Sequence, residues 1–349
     1  MIIVGLGGLV GVVRRIILDG YGYYLGKKGG MLIISRGEEK KSVSVGNVSC
    51  IIANASGFSV SGDALRLMLK NNVQLILLSG DRPIGRLQPV GRGGSVKLKK
   101  EQFKAQEDER GRYIAWRIVT NKIENQLNLL KRFRKARIRS NPEVAERLAW
   151  YISRITEVKK YVEDYGISGD RQLYISKEAE ASKYYWEALS LVIPNEVGYD
   201  GRRRKRYDMP KDPFNLSLNY LYTILASEIW FAIELSGLDP YIGYLHEDSS
   251  RRPSLVMDLM EEFRQPIVDK PLITLFTSKN DWKGIMESEG KLSEEGRKKL
   301  LKLFYEQMKT KTTFMNRSIP VSGHIHLQPH RLAKYIMKYS NTYQPYNVI

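Results

Sequence analysis

Glu178, His246 and the trio Asp258, Glu261 and Glu262 are the side chains of this sequence best able to do chemistry together. Asp258, Glu261 and Glu262 stand at i, i+3 and i+4, on one face of a helix whose other positions are Leu255, Val256, Leu259, Met260 and Phe263. That spacing alone also describes the solvated face of an amphipathic helix. Glu178 follows Ser176, which could cap a helix and leave the carboxylate in a favourable first turn. His246 closes the run Gly243-Tyr-Leu-His, twelve residues before Asp258. A lone histidine is commonly a packed residue. One imidazole with several carboxylates, however, is a ligand set suited to Mg²⁺ or Mn²⁺, the latter being more tolerant of nitrogen. Such ions activate a water or a sugar hydroxyl and stabilise the oxygen that leaves phosphorus.

The surroundings of these acids are basic. The 349 residues carry 56 Lys and Arg against 38 Asp and Glu, a formal charge of +18. That excess implies an acidic partner, nucleic acid or an anionic membrane surface. Cations are densest at Lys131-Arg-Phe-Arg-Lys-Ala-Arg-Ile-Arg139, which includes Arg132 and Arg134, and at Arg202, Arg203, Arg204, Lys205 and Arg206. The second run lies between Gly201 and Pro210 and reads as a loop able to close on a phosphate backbone, with strongly salt-dependent affinity. His324, His326 and His330 could contribute to a zinc site, but no fourth ligand is near, and packing or phosphate contact accounts for them. No histidine is followed at +3 by arginine, which disfavours a tyrosine-recombinase route.

A single cysteine, Cys50, excludes an internal disulfide and a cysteine-rich zinc ribbon, and fits a reducing, cytoplasmic setting. Residues 2–13 are apolar or glycine, too few to span a bilayer, with no basic stretch before them as in a secretory signal. Val10 stands where a dinucleotide-binding GxGxxG needs its last glycine, so a buried or edge strand is the better account. No membrane association is expected.

The elements that must position the acids divide in two, and the expected fold class is α+β. Residues 1–95 read as a β-rich domain: 15–18, 31–35, 42–45, 48–52 and 73–78 are β-branched runs separated by glycines, with one short helix from a Ser61 cap. Residues 96–105, glycine-preceded and basic, read as a linker. Residues 106–349 read as an all-α domain. Apolar periodicity there marks helices around Tyr113 to Leu130 and over 143–165, 176–193, 215–235, 255–264, 293–309 and 328–339.

Three strings resemble a known family. Glu178-Ala-Glu-Ala-Ser-Lys-Tyr-Tyr-Trp resembles the glutamate motif of the CRISPR-associated spacer integrases, the first-numbered Cas family, with Ala181 at +3, Tyr185 at +7 and Trp186 at +8. Gly237-Leu-Asp-Pro-Tyr-Ile-Gly-Tyr-Leu-His246 resembles its histidine motif. Leu255-Val-Met-Asp-Leu-Met-Glu-Glu-Phe-Arg, then Val268-Asp269, resembles its aspartate motif. Weaker similarity covers Lys122-Ile-Glu-Asn-Gln and Asp212-Pro-Phe-Asn-Leu-Ser-Leu-Asn-Tyr. Carried over by position, the resemblance implies Glu178, His246 and Asp258 as catalytic metal ligands, with Glu261 where many members have a second aspartate. Two departures stand out: Ala179 replaces the common glycine, and Glu180 is a competing carboxylate, although +7 from Glu180 is Glu187 rather than an aromatic.

The resemblance further implies a metal-dependent DNA endonuclease and integrase, using Mg²⁺ or Mn²⁺. The 3′-hydroxyl of a captured fragment would attack a phosphodiester at the edge of a CRISPR repeat, with no covalent enzyme intermediate and Tyr185 in packing or positioning. It implies a homodimer formed through the N-terminal domain and assembly with a small ferredoxin-like Cas partner. A non-catalytic nucleic-acid-binding scaffold, or a metal-dependent nuclease outside CRISPR adaptation, would share the same basic composition.

Overall fold

Alternation along residues 31–36 buries Leu32 and Ile34 and turns their neighbours outward, the signature of a strand with one packed face. A computed structural model of the chain describes residues 2–7, 12–79, 82–89, 95–202, 211–246, 252–287 and 290–348. These fall into two units, Met1–Gly93 and Gly94–Ile349. The first is strand-rich and the second helical, an α+β chain.

The first unit contains β1 (Ile2–Gly7), β2 (Val12–Tyr21), β3 (Tyr23–Lys28), β4 (Met31–Arg36), β5 (Glu39–Ser44), β6 (Val48–Ser56), β7 (Ser59–Val60), α1 (Gly62–Lys70), β8 (Gln74–Ser79) and β9 (Arg82–Leu87). Among the described residues they form a sheet of order β1-β2-β6-β8-β9 and another of order β5-β4-β3-β7. Between them Ile16, Leu18, Ile51, Ala53, Leu25, Leu32 and Ile34 pack with Ala64 and Met68 of α1. Ser61 caps α1 as expected, its Oγ accepting from Ala64 N at 3.1 Å. The apolar N-terminal run contains the edge strand β1; Val10 lies outside the described residues.

The second unit contains α2 (Val96–Glu107), α3 (Glu109–Arg137), α4 (Pro142–Tyr165), α5 (Arg171–Leu189), α6 (Pro213–Ser236), α7 (Ser254–Met260), α8 (Lys270–Thr277), α9 (Glu294–Lys309), β10 (Lys311–Phe314), β11 (Arg317–Pro320) and α10 (Val321–Ile336). The 29-residue α3 packs against α2, α4 and α5, and α6 packs against α7 and α10. Among the described residues α6 is the helix long and apolar enough to cross a membrane, yet 67% of its most apolar stretch is buried within the fold, as for a core helix.

Three expectations are corrected. Residues 96–105, read as a linker, are helix α2, capped by Ser95 Oγ on Leu98 N at 3.1 Å. Its lysines mask one buried face made by Leu98, Gln102 and Ala105, while Phe103 is 57% exposed. The Gln102 amide donates to Asp239 O (2.9 Å) and Ile242 O (3.1 Å) and accepts from Asp239 N (2.8 Å). Second, α5 begins at Arg171 under an Asp170 cap, so Ser176 is no cap; its hydroxyl bonds Leu173 O at 2.9 Å within the helix. Third, the helical domain holds the β10–β11 hairpin, turned by Met315 and Asn316 at φ 49° and 59°. Two consecutive positive φ values make the tight mirror-image turn that antiparallel strands favour, and methionine gives no warning of it.

The Gln102 bonds hold the turn that leads to His246. Gln102→Ala is expected to cost about 2–3 kcal/mol, because it strands two carbonyls and one N–H away from water. A lowered denaturation midpoint of the full chain would show this, and an unchanged midpoint would refute it.

Candidate metal centre

Asp258 organises the histidine segment. Its buried Oδ2 accepts from Tyr244 N (2.5 Å) and Leu245 N (3.0 Å), and its Oδ1 accepts from His246 N (3.0 Å) and meets His246 Nδ1 at 2.7 Å. Three backbone donors and an imidazole thus surround one carboxylate at 0% exposure. Gly243 makes the approach possible, since a Cβ there would lie 2.6 Å from Ser254 Cβ and 3.0 Å from Asp258 Oδ2. α2 buttresses the same turn from outside, with Gln106 Nε2 donating to Gly243 O at 2.6 Å. With Nδ1 tied to Asp258, Nε2 is the histidine nitrogen left to coordinate a cation.

The other acids converge on a lysine. Lys122 in the middle of α3 pairs with Glu178 Oε1 of α5 and lies 2.7 Å from Glu261 Oε2, just beyond α7. Ser182 Oγ donates to Glu178 Oε1 at 2.8 Å, and Arg264 Nε lies 3.2 Å from Glu261 Oε2. Burial opposes ionisation of Glu178, but attraction from Lys122 outweighs it and holds the carboxyl below its ordinary range. Glu261 is driven down to about 2: desolvation is overcome by Arg264, Lys122 and His246. Two ionised carboxylates thus converge on the single ammonium of Lys122.

The solvated-face account of 258, 261 and 262 fails, because their exposures are 0%, 3% and 0%. Glu262 points the other way from Glu261. It accepts from Tyr343 OH, from Tyr346 N at 2.8 Å and from Gln328 Nε2 at 2.6 Å, fastening the C-terminal segment. Burial lifts it to about 7 despite those donors. α7 also ends sooner than expected, at Met260, and a turn leads into a π-helical stretch, Arg264–Asp269, containing Pro266. Proline has no N–H for the regular ladder, and π-turns gather at functional sites. This stretch carries Asp269 inward, where Tyr185 OH (2.8 Å) and Tyr222 OH (2.5 Å) donate to it. Arg264 lies over the Tyr222 ring at 4.6 Å, joining that layer to Glu261.

Lys122, Arg264 and the Tyr185–Asp269–Tyr222 layer were not among the expected site residues. Lys122, Asn125 and Gln126 are all buried at i, i+3 and i+4, the spacing of the acidic trio, so α3 offers a polar face inside the core. Arg264 follows Glu261 by one helical turn. Each pattern is visible in sequence, but neither says which way it faces.

The expected phosphate-binding residues separate. Arg132 and Arg134 are exposed near the end of α3, Arg134 also donating to Ala145 O at 3.2 Å. Arg202 is not part of a free basic loop: it donates to Asn215 Oδ1 (3.0 Å) and Asn219 Oδ1 (2.7 Å) and lies against Trp186 and Tyr222. Arg203, Arg204, Lys205 and Arg206 lie outside the described residues. His324, His326 and His330 all lie on α10. His324 is buried with Nε2 on Thr312 O at 2.9 Å, whereas His326 meets Phe231, so these two serve packing in different directions.

The described residues place this centre in a helical unit that follows a strand-rich one along the chain, and comparison with known proteins identifies the fold. A family model described as CRISPR associated protein Cas1 matches residues 16–306. The CRISPR-associated endonuclease Cas1 1 of Archaeoglobus fulgidus is 36% identical over 88% of this chain and 92% of its own. Among solved structures, a casposase bound to its integration product superposes with a TM-score of 0.79 at 24% identity, over 95% of this chain and 92% of that one. A chain of a Cas6-RT-Cas1–Cas2 complex gives 0.78 at 19% identity, over 99% of this chain and 37% of that one. This chain belongs to the Cas1 family.

Asp269 offers a test of the buried layer through pH. Burial, against the two tyrosine donors, raises its pKa to about 6 from an unfolded value near 3.8. A raised carboxyl contributes stability fully below about pH 4 and loses it as pH rises through 6. Wild type should therefore lose on the order of 3 kcal/mol relative to Asp269→Asn between pH 4 and 7. Denaturation of both proteins across that range measures it; a constant difference would contradict the assignment.

Proposed function

We propose that this chain is a metal-dependent DNA endonuclease and integrase of CRISPR adaptation. The observation that carries the reading is the convergence of two buried carboxylates, Glu178 and Glu261, both held ionised, on one positive charge, that of Lys122. Hard oxygen donors with one imidazole suit Mg²⁺ or Mn²⁺. Glu178, Glu261 and His246 would hold the ion. Asp258, expected as a ligand by position, is reassigned: its oxygens already take three backbone N–H groups and the imidazole, so its role is to set the ring. When bound, the ion would supply Lewis acidity that polarises a phosphodiester and lowers the pKa of the attacking hydroxyl.

The chain's own residues define the rest. Attack by the 3′-hydroxyl of a captured fragment forms one phosphorus–oxygen bond as the bond to a repeat strand's 3′-oxygen breaks. The count of phosphodiesters is unchanged and no external energy source is needed. Water in place of the hydroxyl gives nuclease activity at the same centre. Tyr185 takes no part as a nucleophile, because its hydroxyl is buried on Asp269. Arg132 and Arg134 present exposed charge suited to a phosphate backbone. Partnership with DNA, with a small ferredoxin-like Cas protein and with a second copy through the Met1–Gly93 unit completes the proposal. Two proteins of similar fold support the first two partners, the casposase by its bound integration product and the Cas1–Cas2 complex by its composition.

A branched DNA mimicking a half-integrated fragment tests the reading. Strand joining or its reversal should require Mn²⁺ or Mg²⁺ and fall at least about a hundredfold in Glu261→Gln, a loss in line with removing one preorganised electrostatic group. Asp258→Asn should reduce the rate and also lower the melting temperature, since an amide facing three N–H donors leaves some unpaired. Metal-independent turnover, or full activity in Glu261→Gln, would refute the proposal.

A further inference from the structure

Lys122 does more than neutralise a buried acid. Its ammonium contacts both Glu178 and Glu261, the carboxylates that would hold the divalent ion, so it fills the position where that ion's charge belongs. We infer that Lys122 is a resident counter-cation of the centre, and that a divalent ion must displace its ammonium in order to bind. The inference rests on the metal reading above and adds a control to it.

Two features separate Lys122 from the other cation at the site. Arg264 lies with its Nε 3.2 Å from Glu261 Oε2 and its guanidinium 4.6 Å above the Tyr222 ring, whose hydroxyl is bound to Asp269. A planar guanidinium stacked in this way is costly to move. Lys122 has no ring against it among the described contacts. Its point charge sits on a flexible four-carbon stem, and only its ammonium, not α3, has to shift. Electrostatics requires some cation there in the ion-free protein. Glu178 and Glu261 lie on either side of one Nζ, and like charges so close inside a helical core repel strongly unless a positive charge intervenes. The site is thereby kept folded and ionised before any ion arrives, at the expense of affinity for that ion.

A Lys122 that served only packing would destabilise the fold when replaced, with or without metal. A competing Lys122 makes a different prediction. Mn²⁺ binding to the full chain, followed by calorimetry and by the spin-resonance signal of free Mn²⁺, would be compared for wild type, Lys122→Met, Lys122→Gln and Glu261→Gln. Without metal, Lys122→Met should melt below wild type. It should bind Mn²⁺ at least about tenfold more tightly, and saturating Mn²⁺ should close the gap in melting temperature. Lys122→Gln, which keeps a neutral donor, should behave likewise and serves if the methionine variant does not fold without metal. Equal or weaker Mn²⁺ binding in the lysine variants, with wild-type binding that depends on Glu261, would overturn the role of Lys122 alone. Absence of Glu261-dependent Mn²⁺ binding in wild type would overturn the metal reading itself, and the Lys122 proposal with it.

Discussion

A carboxyl group can be kept inside a helical core only if donors or cations replace the water it has lost. Around residues 258–269 this chain meets that demand in four different ways. Asp258 is ringed by backbone N–H groups and an imidazole, Glu261 by Lys122 and Arg264, Glu262 by tyrosine, glutamine and a C-terminal amide, and Asp269 by two phenols. Most of the surrounding architecture is arranged to deliver those partners. The turn before His246 supplies the amides, α3 the lysine, α5 and α6 the phenols, and the final segment the tyrosines.

The partner sets divide the acids by chemistry. At Glu262 and Asp269 burial outweighs the surrounding donors, so both are lifted toward neutral pH. Full positive charges reverse the balance, so Glu178 and Glu261 stay ionised. The lifted pair ties segments together, and the ionised pair faces a cation position. The same residue type thus serves structure or chemistry according to whether a charge or a hydroxyl meets it.

The basic excess follows a similar division. Arg202 and Lys122 are enclosed and hold parts of the fold, whereas Arg132 lies on the exposed end of α3. Net charge reports only that an acidic partner is favoured. Which cations reach that partner depends on which have already been claimed inside.

The sequence by itself determined the order of strand-rich and helical parts, the Ser61 cap, the extent of α4 and α9, and the strings that carry Glu178, His246 and Asp258. These rest on local periodicity, capping and short spacing, which operate within a few residues. Tertiary structure alone decided that α2 is a buttress, that Asp258 meets the imidazole and three backbone amides, that Glu261 and Glu262 point apart, and that Lys122 sits between Glu178 and Glu261. The partners involved are 56 residues apart for Lys122 and Glu178 and 137 for Gln102 and Asp239. No local pattern encodes which buried donor will meet which acid, because that match is made only when distant helices pack and water is excluded.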